Sequence, residues 1–88
     1  MTNRLQLFEE GLQQCNDLLA NHPNSVALLS ISRQISYLIE LESGANPDRS
    51  RLKEIIIGVL TAREIEPLDD KAAEVFYKIA SVAKQMAA

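Results

Sequence analysis

Few groups in this chain could carry chemistry. Its one cysteine is Cys15 and its one histidine is His22. A nucleophilic thiol needs a base beside it, and a structural zinc site needs four ligands, which one Cys and one His cannot supply. Cys15 falls on the apolar stripe of a predicted helix, where a buried, inert thiol is expected. His22 precedes Pro23 in a turn and lacks the exposed mid-helix position of a phosphorelay histidine. The serines, from Ser25 to Ser81, never stand in a Gly-x-Ser-x-Gly turn, and the glycines are too isolated to cradle a phosphate. Carboxylates come in pairs: Glu9 with Glu10, Glu40 with Glu42, Glu64 with Glu66, and Asp69 with Asp70. An acid–base pair would need one member desolvated, whereas such charges usually form solvated faces and helix caps. Glu64, Glu66, Asp69 and Asp70 put four acids into seven residues, a negative edge able to meet a basic partner. No catalytic residue, cofactor or metal is expected, and the chain is not expected to be an enzyme.

The elements that must position these groups belong to one small domain, residues 1–88, with room for one modest core. A formal net charge of −3 and a pI near 5.0 oppose general nucleic-acid binding; Arg49, Arg51 and Lys53 form the only basic cluster. A single thiol excludes an internal disulfide. The stretch from Met1 to Glu10 lacks the apolar core of a signal peptide, and no apolar run approaches the roughly eighteen residues of a membrane span. A cytoplasmic protein with neither nucleic-acid nor membrane partners is expected.

Periodicity predicts an all-α fold, a compact antiparallel bundle of about four helices. Leu5, Phe8, Leu12, Cys15 and Leu19 mark one face of a helix over about residues 3–21, opened by an Asn3–Gln6 capping box and stopped by Asn21-His22-Pro23. Asn24 or Ser25 caps a second helix with the stripe Leu28, Ile31, Ser32, Ile35, Leu38, Ile39 and Glu42, ended by Gly44. Leu29, Tyr37 and Leu41 lie off that stripe, so this helix is apolar over more than half its circumference, as in a bundle centre or an interface. Asn46-Pro47-Asp48 predicts the start of a third helix with Leu52, Ile55, Ile56 and Val59 inward and Ile57 and Leu60 as a second strip. Gly58 weakens that helix by about 1 kcal/mol relative to Ala, and is placed to admit a close neighbour. Asp69 or Asp70 caps a fourth helix with Ala72, Val75, Phe76, Ile79, Val82, Ala83 and Met86 at helical period and a Glu74–Lys78 pair. The short connections favour antiparallel neighbours.

His22-Pro23, Leu28-Leu29-Ser30, Gln34-Ile35-Ser36-Tyr37, Asp48-Arg49-Ser50-Arg51-Leu52, Gly58 and Arg63-Glu64 follow in this order. The pattern, from about residue 22 to 78, resembles small all-α immunity proteins of the type VI secretion system. The family it is most similar to protects against an NAD(P)+ glycohydrolase effector, and a related one against a synthetase of adenosine polyphosphates. The resemblance implies an antitoxin that binds the effector's catalytic domain, blocks its site and has no activity of its own. Surplus apolar surface on the second and third helices, with a charged rim, suits such a binding module. Tyr37 is the candidate aromatic anchor, its alternative being a core-edge tyrosine with its hydroxyl in water. Glu40, on the same side, is placed to pair with a toxin Lys or Arg, with Glu64, Glu66, Asp69 and Asp70 as further rim. For Gln34 a helix–helix hydrogen bond is expected, and for Arg49 and Ser50 a structural turn. Two alternatives stay open. One is a homodimeric scaffold joined through Ile57 and Leu60. The other is a small helical enzyme of the chorismate mutase kind, using Arg4, Arg33, Arg51 and Arg63, although the first helix offers no inward arginine.

Overall fold

Side-chain caps start each of the three long helices. The computed structural model describes residues 3–87; Met1, Thr2 and Ala88, which the domain and leader readings include, lie outside the described residues. Asn3 Oδ1 accepts from the Gln6 N–H at 2.7 Å and opens α1, Arg4–Asn21. The His22 N–H closes it on the carbonyls of Leu18 and Leu19. Ser25 Oγ accepts from the Leu28 N–H at 3.2 Å and opens α2, Val26–Ser43. Gly44 ends α2 at φ +84°, a left-handed conformation that needs no Cβ. Asp69 Oδ1 accepts from the N–H groups of Lys71 and Ala72, at 3.0 and 3.1 Å, and opens α4, Asp70–Ala87. Each cap satisfies an orphan donor of a first turn, worth about 1 kcal/mol.

The segment between Gly44 and α4 departs from expectation. No helix begins at Pro47. Asn46 Oδ1 accepts from the Asp48 N–H and Asp48 Oδ1 from the Ser50 N–H, each at 3.0 Å, so two Asx turns follow one another. These side chains offer the backbone a local alternative to the helix. A single 3-10 turn, Leu52–Glu54, follows, and then Ile55 is extended. The third helix, α3, is only Ile57–Leu60, continued by the π-helical turn Thr61–Ile65, in which the Glu66 N–H reaches the Thr61 carbonyl at 2.9 Å. The β-branched run and Gly58 are weak helix formers and add to the break.

This break changes which residues face inward. Ile56 and Val59, expected inside, are 48% and 54% exposed, whereas Ile57 is fully buried and Leu60 half-buried. The Ile57–Leu60 strip therefore cannot join two copies of the chain. Glu42, expected on the inner stripe of α2, lies outside, 3.6 Å from Arg4. That is the one ion pair among the described residues, so the Glu74–Lys78 pair does not form.

One core holds the elements together. Phe8 and Cys15 of α1, Leu28, Ile31, Ile35 and Leu38 of α2, Ile57 and Ile65, and Phe76 and Ile79 of α4 are all at most 1% exposed. Burying each large aliphatic side chain contributes about 1.5–3 kcal/mol. α1 packs on both α2 and α4, and α3 packs on α4, in an all-α antiparallel bundle. Gly11 makes the first contact possible. A Cβ there would collide with Ile79 Cδ1 and stand 3.4 Å from Ile35 Cδ1, so a side chain would force the end of Ile79 to move within the core. The close neighbour of Gly58 is Ala80, whose Cβ would lie 3.4 Å from an added one. Thr61, also buried, donates its hydroxyl to the Ile57 carbonyl at 2.7 Å, so that hydroxyl is not stranded.

Cys15 is buried, as its position on the apolar stripe implies. Its thiol donates to the Leu28 carbonyl at 3.2 Å, and burial pushes its pKa up to about 11 against a smaller opposing effect from the Ser32 backbone.

Two predictions follow from this packing. Gly11→Val is expected to cost about 2 kcal/mol or more in urea unfolding, by overpacking the α1 contact; an unchanged midpoint would contradict that closeness. At pH 8, native Cys15 is expected to react with a thiol reagent only as fast as the chain unfolds. Labelling at the rate of a free thiol would show that the site is open.

Candidate partner-binding surface

On α2, the side chains off the core stripe at Ser30, Arg33, Tyr37 and Glu40 recur at steps of three and four and so share a face. After Gly44 the chain returns along that face without regular helix, and α2 holds it there. The Tyr37 hydroxyl donates to the Asp48 carbonyl at 2.6 Å and accepts from the Arg51 N–H at 3.3 Å. Gln34 Oε1 accepts from the Ile56 N–H at 2.7 Å, while its Nε2 donates to Ser30 Oγ at 3.0 Å. The Arg49 guanidinium ties the turn to the end of α4, donating to the Met86 carbonyl at 3.1 Å. Hydrogen bonds from Ser50, with a smaller contribution from the Arg51 charge, hold the Asp48 carboxyl below the usual carboxylate range.

Three linked hollows result. One of about 300 Å³ lies between α2 and the returning segment, lined by Arg33, Gln34, Tyr37, Arg51, Glu54 and Ile56. A second, about 520 Å³, shares Arg33, Tyr37 and Arg51 and adds Glu40, Asn46 and Asp48. A third, about 630 Å³, opens beyond Ile56, against Val59, Tyr77, Ala80 and Lys84. Shared walls make one continuous surface, with Ile56 standing as a ridge between two hollows.

Of the residues singled out from the sequence, Tyr37 and Glu40 come together in the second hollow. The Tyr37 ring is half-buried, and its hydroxyl meets backbone rather than only water. The members of the acidic run have different local settings. Asp69 is the cap of α4, and Glu66 accepts from the Tyr77 hydroxyl, which pushes the Tyr77 pKa up; Glu64 and Asp70 are exposed. Because Tyr77 lines the third hollow, Glu66 borders that end of the surface. Gln34 does bridge elements, to the backbone entering α3. Arg49 and Ser50 do form a structural turn. Ile56 and Val59, expected inside, are surface residues here, and Arg33 and Arg51, not among the expected partner contacts, line the first two hollows. The spacing of Arg33, four residues before Tyr37 and seven before Glu40, was the available signal.

Neither Cys15, which is buried, nor His22, which is exposed, lines any of the three hollows. Among the described residues no three His, Cys, Asp or Glu side chains gather as metal ligands. No described helix is long and apolar enough to cross a membrane.

No curated protein matches the chain. A solved structure of Tse6 in complex with Tsi6 contains a chain similar to this one, with a TM-score of 0.91 and 21% identity over 98% of this chain and 92% of that one. The structure of Tsi6 from Pseudomonas aeruginosa is similar at a TM-score of 0.86 and 22% identity, over 93% and 95%. At such identities the likeness establishes the shared fold. Kinship rests on sequence, since a family model described as Tsi6 matches residues 3–85. That match takes in the whole stretch, about residues 22–78, on which the resemblance to type VI immunity proteins was drawn: the chain belongs to the Tsi6 family.

Proposed function

We propose that this protein is an immunity protein, which binds the catalytic domain of a secreted antibacterial effector and blocks its active site. The effector is of the NAD(P)+ glycohydrolase class. The single observation that carries this reading is the family match over residues 3–85, and the solved Tse6–Tsi6 complex supports a protein partner. The protein acts as one domain, without catalysis of its own, in the cytoplasm, where the effector's substrate is found.

The physical requirement is tight binding by a small body. Holding a toxin near 1% free at micromolar inhibitor needs a Kd of about 10 nM, or roughly −11 kcal/mol. Interfaces of that quality bury about 800 Å² on each partner. The chain exposes 5517 Å² in all, so one contiguous face must do the work. The surface running from Glu40 past Tyr37 and Ile56 to Tyr77 offers such a face. Tyr37 is a rigid aromatic anchor, since its hydroxyl is fixed to the backbone. An aromatic held in this way loses little entropy on binding. Glu40 at one end and Glu66 at the other supply charges to the rim, with Glu64, Asp69 and Asp70 as its outer part.

The test is to titrate the chain into the effector's catalytic domain from the same cells while following NAD+ consumption. Consumption is expected to stop near one equivalent, and Glu40→Lys is expected to weaken binding about tenfold with an unchanged unfolding midpoint. NAD+ loss that continues under an excess of the chain would sink the reading.

A further inference from the structure

We infer that the free chain pairs with a second copy of itself, with the two α4 helices antiparallel about a twofold axis at Tyr77 and Asp70 of each copy against Lys84 of the other. The inference goes beyond the immunity reading and does not depend on it, because it concerns the chain alone.

Asp70, Glu74, Tyr77, Ser81 and Lys84 recur along α4 at steps of four and three, so they share one face, and all five are exposed. Tyr77 stands at the middle of that face. Asp70 lies seven residues before it and Lys84 seven after, about 10 Å either way along the helix. The face is therefore negative at one end and positive at the other. Neither Asp70 nor Lys84 has an ion-pair partner among the described residues.

The third hollow runs beside this face and shares Tyr77 and Lys84 with it. Lys53 also lines it, and no carboxylate does. Its exposed apolar side chains are Ile56, Val59 and Tyr77. The chain itself carries a group that matches such a hollow. Leu68 is exposed in the turn before α4 and is followed directly by Asp69 and Asp70. The twofold rotation brings that start of α4 to the lysine end of the second copy's hollow.

Charge sets the direction of pairing. Antiparallel helices place Asp70 against Lys84 twice, whereas parallel ones would place Asp70 against Asp70 and Lys84 against Lys84. A twofold contact closes on itself, so assembly stops at two copies. Ile56, Val59, Leu68 and Tyr77 are four of the six exposed large apolar side chains among the described residues, and their joint burial drives the pairing. Glu66, bonded to Tyr77, and Glu74 stand near the axis and oppose it, offset in part by Lys78. The pair is accordingly weak, with a Kd on the order of 10 µM. Ile56 and Tyr77 also belong to the face assigned to the effector, so pairing and effector binding exclude one another.

The test is sedimentation equilibrium of the full chain from about 1 to about 200 µM, a range that brackets this Kd. Wild type is expected to pass from monomer to dimer across it and to go no further. Lys84→Glu and Asp70→Lys are each expected to raise the dimer Kd about tenfold or more, and the two together to return it to within about threefold of wild type. Val59→Asp is expected to abolish the dimer, and Glu9→Lys on α1 to leave it unchanged. Unfolding midpoints identify the variants that fold. Should Asp70→Lys fail to fold, having lost an acid from the first turn of α4, Lys84→Glu and Val59→Asp decide the matter. A wild-type chain that stays monomeric throughout, one that forms larger assemblies, a dimer indifferent to Lys84→Glu or Val59→Asp, or a folded double variant as weak as the single ones each overturns the inference and leaves the immunity reading in place.

Discussion

Gln34 and Tyr37 reach from α2 to the backbone of the segment that returns from Gly44, and the shape of the exposed face depends on those bonds. The Asx turns, the 3-10 turn and the extended Ile55 leave that segment without a continuous hydrogen-bond ladder of its own. The Ile56 and Arg51 N–H groups find their partners on α2 side chains instead. Each such bond contributes only about 1 kcal/mol net. Their larger effect is geometric. With the Ile56 amide anchored on Gln34, the next residue, Ile57, points into the core, and Ile56 itself stands outside. The hollows on either side of Ile56 exist because its backbone is held in this way.

Beneath that face lies a rigid base. α1 and α4 share a core with α2, and Gly11 permits the close approach that seals it. Asp69 starts α4 and Glu66 accepts from Tyr77, so these two acids also serve the fold.

The long helices were legible in the sequence because their signals are local. Asn3, Ser25 and Asp69 sit where caps must sit, Gly44 where a left-handed turn must be, and the buried stripes follow the helical period. α3 was not legible. Its apolar residues are adjacent, Ile55-Ile56-Ile57, so a shift of one position exchanges the buried isoleucine for the exposed one. What sets that position is a contact between residues 34 and 56, and no short-range pattern encodes it. Tyr37 and Glu40 could be found because they fall off the inner stripe. Arg33 and Arg51 are far apart in sequence, and only the fold brings them to the same hollows. Within the acidic run, Asp69 was legible as a cap of α4, whereas the bond from Tyr77 to Glu66 joins residues of different elements and no local pattern encodes it.

The most direct test of the central claim, that the face built on Gln34 and Tyr37 meets the partner, is backbone hydrogen exchange of the chain alone and in complex with its effector's catalytic domain. The account predicts slower exchange across residues 51–59 in the complex, with the outer side of α1 unchanged. Slowing confined to α1, with residues 51–59 exchanging as in the free protein, would contradict it.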